Sequence, residues 1–538
     1  MRARNRLSQT LLPSVPSTGR RRFLRDAGAL AGLSALGAWP LRGGAVAYDP
    51  GRVGTPYGVQ AGDVLADRAV IWSAADRPAQ MWVELADNPG FIDAVRLRGP
   101  VALPETGLTA KLDVAGLRPN SRVHYRVTFA DLRETALASE PLVGTLLTAD
   151  DAALPSAAAS QRDRLRSVRF VWSGDVAGQG WGINPDLGGM RIFETMRQLR
   201  PDFFIHSGDS IYADGPIRES VTLSDGSVWR NRVTPAKAKV AETLDEFRGN
   251  YQYNLLDDNL RRFNAEVPMY AQWDDHEVVN NWYPGETLVD PRYTETDVDV
   301  LAARAQQAFV EYMPVRFGER NRLFRHFPRG PLLDILRVDL RTFRGPNSRN
   351  RQAVPGDDTA FLGAEQVAWL KRALLHARGT WKVIASDMPI GLVVRDGADF
   401  ENGANADDGP PLGRELEIAD LLRFIKDNRI HNVVWLTADV HYTAAHHYQP
   451  SRAAFSDFLP FWEFVSGPLN AGTFGPSELD GTFGPQVVYV KAPPPGQANL
   501  PPSAGLQFFG QVDIDARTAQ MTVTLKDMAG AALFTQVL

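Results

Sequence analysis

Five apolar runs in this chain each end in an acidic residue, and those acids are the first sign of chemistry. Val168-Arg-Phe-Val-Trp172 leads into Ser173-Gly-Asp175, and Asp202-Phe-Phe-Ile-His206 into Ser207-Gly-Asp209. Val267-Pro-Met-Tyr-Ala-Gln-Trp273 runs into Asp274-Asp-His-Glu277. Trp381-Lys-Val-Ile-Ala385 precedes Ser386-Asp387, and Asn432-Val-Val-Trp-Leu436 precedes Thr437-Ala-Asp439. One aspartate after a strand serves as a helix N-cap, worth about 1 kcal/mol. Five at once fit a shared site better, because α/β architectures collect their chemistry at the carboxyl ends of strands. Converging carboxylates repel one another unless cations neutralise them, so the pattern asks for metal ions.

The side chains around those acids narrow the choice. Carboxylates with one or two imidazoles are hard donors, suited to Fe, Mn, Ca or Mg. Asp209 and Tyr212 stand three apart in one loop, so both can reach an ion, and a phenolate ligand points to Fe(III). Of nine histidines, four fall in two of these loops: His276, then His441, His446 and His447. In Asp439-Val-His441, side chains two apart on an extended segment point the same way and can chelate together. His446 and His447 read more simply as structural, and His206, inside a strand, as a core residue. Two hard cations side by side can clamp a phosphoryl group and activate a bound water. A neighbouring His or Arg then assists the leaving group or the equatorial oxygens. The chain has no Gly-x-Ser-x-Gly elbow and no cysteine, which leaves a covalent hydrolase poorly supported.

These residues need strands and helices to hold them. Amphipathic periodicity predicts helices over 189–199, 364–378 and 415–428, between the apolar strands. Over 48–150 the runs are short and alternating, among them Arg68-Ala-Val-Ile-Trp72, Gln80-Met-Trp-Val-Glu-Leu85 and His124-Tyr-Arg-Val-Thr-Phe129. Turn-prone residues separate them, which predicts a β-sandwich of immunoglobulin or fibronectin type. The Ala/Ser/Asp-rich stretch 151–166 reads as a linker, and 167–538 as the catalytic domain. At the N-terminus, Arg20-Arg-Arg-Phe-Leu24 precedes an uncharged apolar run, and Ala45-Val-Ala47 supplies small residues for cleavage. This order reads as an export signal over 1–47, with Arg20 and Arg21 resembling a twin-arginine motif and Ala45 and Ala47 the cleavage site. The apolar run of about 15 residues is too short to span a bilayer core of ~30 Å. The mature protein is then periplasmic or secreted and has no transmembrane anchor. A net charge of −5 and a pI near 6.0 argue against a general nucleic-acid or anionic-membrane binder.

Taken together, several motifs resemble the PhoD-like alkaline phosphatases. They are Ser207-Gly-Asp-Ser-Ile-Tyr-Ala-Asp214, Trp273-Asp-Asp-His-Glu-Val-Val-Asn-Asn281, Glu311-Tyr-Met-Pro-Val-Arg316, Ala438-Asp-Val-His441 and Phe464-Val-Ser-Gly-Pro-Leu-Asn470. Tyr57-Gly-Val-Gln-Ala-Gly-Asp63 resembles the start of that family's N-terminal domain. The resemblance implies an α/β fold: a two-sheet αββα metallophosphoesterase sandwich preceded by an all-β domain. It also implies Fe(III) with Ca(II), and hydrolysis of phosphomonoesters and phosphodiesters. Carried over by position, Asp209 bridges the metals, Tyr212 binds iron, and Asp439 and His441 are ligands. Asp387 aligns with a calcium-site carboxylate. In the third motif metal contact is expected from Asp275 or from Asn280 or Asn281, and His276 is catalytic or orienting.

The chain departs from the pattern where many members carry an iron-binding cysteine. Gly174 stands there, with Asp175 next, so Asp175 is expected as a substitute oxygen ligand. Carboxylate in place of thiolate hardens the site and admits Mn or another hard divalent ion. Arg292 and Arg304, downstream of the third motif, are the candidates for clamping phosphate. Residues 508–515, 520–525 and 532–537 read as strands, where some members end in a helix. The expected partners are a phosphate-ester substrate and the twin-arginine translocation machinery, with the protein a monomer. A phospholipase D-like diesterase is the alternative, and an inactive surface-binding protein a more distant one.

Overall fold

β-Branched and aromatic residues at alternating positions build the strands, and the alternation decides which face each side chain buries. The computed structural model describes residues 51–151, 165–317 and 322–538. The export signal expected over 1–47 and most of the linker expected over 151–166 lie outside the described residues.

The first strands are β1 (Val59–Gly62), β2 (Arg68–Ala74), β3 (Ala79–Ala86), β4 (Val95–Ala102), β5 (Thr109–Ala115), β6 (Arg122–Asp131) and β7 (Leu142–Leu147). They pair in the orders β1-β2-β5 and β4-β3-β6-β7. Ile71, Met81, Val83, Tyr125 and Val127 are buried in one core that both layers share. This is the all-β unit that the alternating pattern predicts. Its first layer is not free-standing, because β1 runs parallel to β12 (Met269–Gln272) and pairs Gly62 with Met269. A Cβ on Gly62 would lie 2.5 Å from the Pro314 carbonyl oxygen and 2.7 Å from that of Met269. Only glycine permits that approach.

The remaining strands are β8 (Val168–Ser173), β9 (Phe203–Ser207), the hairpin β10 (Ser220–Thr222) with β11 (Val228–Arg230), and then β13 (Arg325–Pro328), β14 (Leu333–Arg337) and β15 (Trp381–Ala385). They continue with the hairpin β16 (Arg395–Asp396) and β17 (Asp399–Phe400), β18 (Val433–Thr437), β19 (Thr443–Tyr448), β20 (Phe461–Val465) and β21 (Pro485–Lys491). The chain closes on β22 (Phe508–Ile514), β23 (Met521–Asp527) and β24 (Ala532–Val537), the expected C-terminal strands. One nine-stranded sheet has the order β24-β23-β22-β8-β9-β12-β1-β2-β5, and a seven-stranded sheet β13-β14-β15-β18-β20-β19-β21.

These two sheets pack face to face. Phe170, Trp172, Phe203 and Ile205 share a core with Ile335, Val383, Val434 and Phe464. The intervening residues face outward. Val171 and Phe204 bury against the helices Arg191–Gln198, Asp258–Glu266 and Val298–Tyr312 through Phe193, Phe263 and Phe309. Leu336, Ile384 and Trp435 bury against Ala364–His376 and Glu415–Asp427 through Leu370 and Leu421. The result is the αββα sandwich. Strands β8, β9 and β12 are mutually parallel, as are β14, β15, β18 and β20. The loops that follow them carry the acidic motifs. Among the described residues no helix is long and apolar enough to cross a membrane.

Candidate metal and active site

Three of the acidic loops reverse sharply through residues of positive φ. Gly208 has φ 91°, and a Cβ there would sit 2.5 Å from that of Asp274. The glycine therefore lets two motif loops touch. Asp175, Asp209, Asp439 and His441 all have positive φ, between 50° and 67°. A non-glycine residue in that region costs on the order of 1 kcal/mol, and such strain gathers at functional sites. The loops also brace one another. The Val176 N–H donates to the Asp209 carbonyl at 2.9 Å, and the Asn470 N–H donates to the Asp175 carbonyl at 3.0 Å. The Phe464–Asn470 motif is thus scaffolding for the first loop.

The side chains converge in three overlapping groups whose ligand atoms lie within 4.8 Å of one another: Asp175, Asp209 and His441; Asp209, Asp275 and His276; Asp274, Asp275 and Asp439. Asp209 and Asp275 each belong to two groups. His441 donates from Nδ1 to the Gly472 carbonyl, which leaves Nε2 2.8 Å from the Tyr212 hydroxyl and 3.6 Å from Asp175 Oδ1. Burial pushes this imidazole down to about 4, so it is neutral, the form that ligates metal. His276 is handled differently. Its Nδ1 lies 2.8 Å from Asp214 Oδ1, and its ring stacks on Tyr212 with centroids 4.2 Å apart. Burial lowers its pKa, but the Asp214 and Asp275 carboxylates outweigh that and hold it up at about 10.

Asp175 Oδ2, Asp274 Oδ2, Asp275 Oδ1 and both oxygens of Asp387 are buried without a hydrogen-bond partner. Buried polar atoms are rarely left so, and ionised ones are the costliest to leave. Hard cations fit this donor set. Without them, burial first and neighbouring carboxylates second push Asp175, Asp209, Asp387 and Asp439 well above the usual value near 3.8. A carboxyl raised in this way binds its proton more tightly folded than unfolded. Stability is then greatest below the unfolded value and falls as pH rises toward the folded one. Chelated protein should therefore unfold at lower denaturant near about pH 8 than near about pH 5, and bound cations should erase the difference. Equal midpoints in chelated protein would contradict this reading of the acids.

Two sequence comparisons bear on this geometry. The family model described as PhoD-like phosphatase matches residues 170–525, and the model for the PhoD-like phosphatase N-terminal domain matches 43–150. The chain belongs to the PhoD-like phosphatase family. It is therefore a phosphate-ester hydrolase. Alkaline phosphatase D of Bacillus subtilis (strain 168) is 27% identical over 497 residues, spanning 85% of this chain and 77% of that protein. A solved PhoD structure shares the fold with TM-score 0.66 at 21% identity, covering 91% of this chain and 90% of the other. The purple acid phosphatase PPD1 of yellow lupin seeds superposes with TM-score 0.54 at 12% identity, over 90% of this chain and 74% of that one.

In this PhoD-like phosphatase the other expected residues fall in different places. Asn280 and Asn281 line the cleft above the acids. Their backbone N–H groups donate to Asp214 Oδ2 at 3.0 Å and Asp275 Oδ2 at 2.6 Å, and the Asn281 amide nitrogen faces Glu401. Asp387 joins none of the three groups and lies against Asp274. Arg292 and Arg304 do not line the cleft. Arg292 pairs with Asp290 at 2.6 Å and donates to the Asp214 carbonyl, and Arg304 donates to the Glu242 carbonyl at 2.9 Å and pairs with Glu295. Neither residue expected as a phosphate clamp is among those lining the cleft. His446 is structural, buried 3.1 Å from Glu463, and His206 is buried in β9.

The sequence reading also missed several residues. Asp274, Glu277 and Asp214 stood inside the quoted motifs, where their acidity was a usable signal. Glu277 accepts from the Ser210 N–H at 2.6 Å and the Asp274 N–H at 2.8 Å, and so ties two loops together. Arg341 and Glu401 gave no signal. Arg341 is fully buried, with Nε 2.5 Å from Asp274 Oδ1 and a terminal nitrogen 2.5 Å from Glu401 Oε1. It is a permanent cation inside the acid cluster.

Proposed function

We propose that this chain is an exported, metal-dependent alkaline phosphatase that hydrolyses phosphomonoesters and phosphodiesters. The observation that carries the reading is the overlap of three ligand groups at Asp209 and Asp275, with buried carboxylate oxygens beside them that have no hydrogen-bond partner. Asp175, Asp209, Tyr212 and His441 would hold one ion, and Asp209, Asp275 and Asp439 a second. Tyr212 favours Fe(III) at the first position, Asp175 in place of a thiolate admits Mn or another hard ion there, and the oxygen donors of the second suit Ca(II). Such ions supply Lewis-acid polarisation of a phosphoryl oxygen and an acidified water.

The chain's own groups do the rest. Asp214 fixes the His276 ring through Nδ1, which leaves Nε2 available to the cleft for a proton to the leaving oxygen. Asn280 and Asn281 offer amides at the same mouth. The cleft, about 380 Å³, is open enough for esters of varied size. Its apolar lining amounts to Val394, Val440 and Phe474, little for a lipid tail, which supports the phosphatase reading over a phospholipase D-like one. Arg20-Arg21, the apolar run after it and Ala45-Val-Ala47 support export by the twin-arginine route.

The test is metal analysis of purified protein, paired with hydrolysis of a chromogenic monoester and diester before and after chelation. Turnover should fall by at least about a hundredfold on chelation and return with the native ions, since a metal supplies several kcal/mol of transition-state stabilisation. A visible phenolate-to-iron charge-transfer band that disappears in Tyr212→Phe identifies Fe(III). Full turnover by metal-free protein would sink the proposal.

A further inference from the structure

The cleft over the acid cluster is lined by Asp209, Asp275, Glu401 and Asp439, and an anionic ester approaching them meets repulsion wherever cations do not mask them. Apart from His276 and His441, the basic side chain among the lining residues is Arg395. It sits on the β16–β17 hairpin, with its guanidinium 5.1 Å from the Phe400 ring centroid and 2.9 Å from Glu478 Oε2.

Both ends of that ion pair are well placed by backbone. Asn347 Nδ2 donates to the Asn281 carbonyl at 2.8 Å and to Asp396 Oδ2 at 2.9 Å, which fixes the hairpin beside the third motif. The Val393 N–H donates to the Glu478 carbonyl at 2.9 Å, and Leu392 bridges Leu479. The side chains themselves are loosely held, 52% and 59% exposed. An exposed ion pair of this kind contributes little, so its arginine is free to exchange partners. A phosphate oxygen offers a guanidinium the same fork geometry as a carboxylate, with more charge.

We propose that Arg395 is the arginine that binds the substrate phosphoryl group, and that Glu478 is its resting counter-ion, displaced when an ester enters. This rests on the phosphoesterase reading of the site and gives the role expected of Arg292 or Arg304 to an arginine that lines the cleft. The charge of Arg395 matters more to a dianionic monoester than to a monoanionic diester, so it biases the enzyme toward monoesters.

The experiment is steady-state kinetics on the metal-loaded enzyme with one chromogenic monoester and one diester, together with the inhibition constant of inorganic phosphate. Arg395→Ala should raise the monoester KM and the phosphate inhibition constant by about tenfold or more, with a smaller change for the diester, and Arg395→Lys should recover part of the loss. Glu478→Gln should lower both constants by up to about fivefold. In the double variant Glu478→Gln should add nothing to Arg395→Ala, because the competition it relieves is gone. Thermal midpoints should stay at the wild-type value, since the pair is on the surface. An active enzyme with unchanged constants in Arg395→Ala overturns the assignment and leaves the phosphoesterase reading intact. So does a Glu478→Gln effect that persists without Arg395, while a wild type with no turnover overturns both.

Discussion

Asp209→Asn is expected to lower kcat/KM for phosphate esters by about a thousandfold or more, the loss of several kcal/mol of metal-derived stabilisation. Asp209 is shared by two of the three ligand groups, so the change weakens both ion positions at once. The same substitution should stabilise chelated protein. There Asp209 is buried beside Asp275, Asp274 and Glu277, and its ionised form is opposed by burial and by their charge. An isosteric amide removes that opposition. Function and metal-free stability should therefore move in opposite directions, read by turnover on the loaded enzyme and by denaturant midpoint on the chelated one. Near-normal turnover in Asp209→Asn would contradict the shared-ligand role. A lower midpoint in its chelated form would contradict the electrostatic account.

Arg341→Met is expected to destabilise the protein by about 3–5 kcal/mol, the usual consequence of removing one partner from a buried ion pair. The arginine is fully buried and spans Asp274 and Glu401, so its loss leaves Asp274 without its buried cation, while Glu401 keeps Arg344 at 3.9 Å. Turnover should fall as well, because Asp274 is one of the grouped ligands and Glu401 lines the cleft. Arg341→Lys should recover only part of either loss, since one ammonium cannot reproduce a guanidinium's two-point geometry. The measurements are urea denaturation midpoints and monoester turnover for both variants. A midpoint for Arg341→Met equal to wild type would show that the cluster is not compensated by this residue.

Much of the fold was legible because it rests on local patterns. Period-two alternation in residues 168–172 and 381–385 places Phe170 and Val383 between the sheets and Val171 and Ile384 beneath the helices. Helices at Ala364–His376 and Glu415–Asp427 followed from period and length. The helix Val298–Tyr312 was not anticipated, although Asp297 caps it by accepting from the Asp299 N–H. The edge pairing of β1 with β12 was also out of reach, because nothing near Gly62 names its partner 207 positions away, Met269.

The same division runs through the site. The sequence by itself determined which residues could be ligands: an acid at the end of each strand, a tyrosine three residues after one of them, and a histidine two residues after another. It did so because ligand chemistry and strand ends are local properties. Only the tertiary structure decided how those residues are compensated and which arginine lines the cleft. Arg292 and Arg304 looked suitable by position, yet neither lines the cleft, whereas Arg341 and Arg395 reach the site from distant segments. Charge balance in a buried cluster depends on distances between groups that the chain order does not encode, and those distances are set by how the two sheets bring their carboxyl ends together.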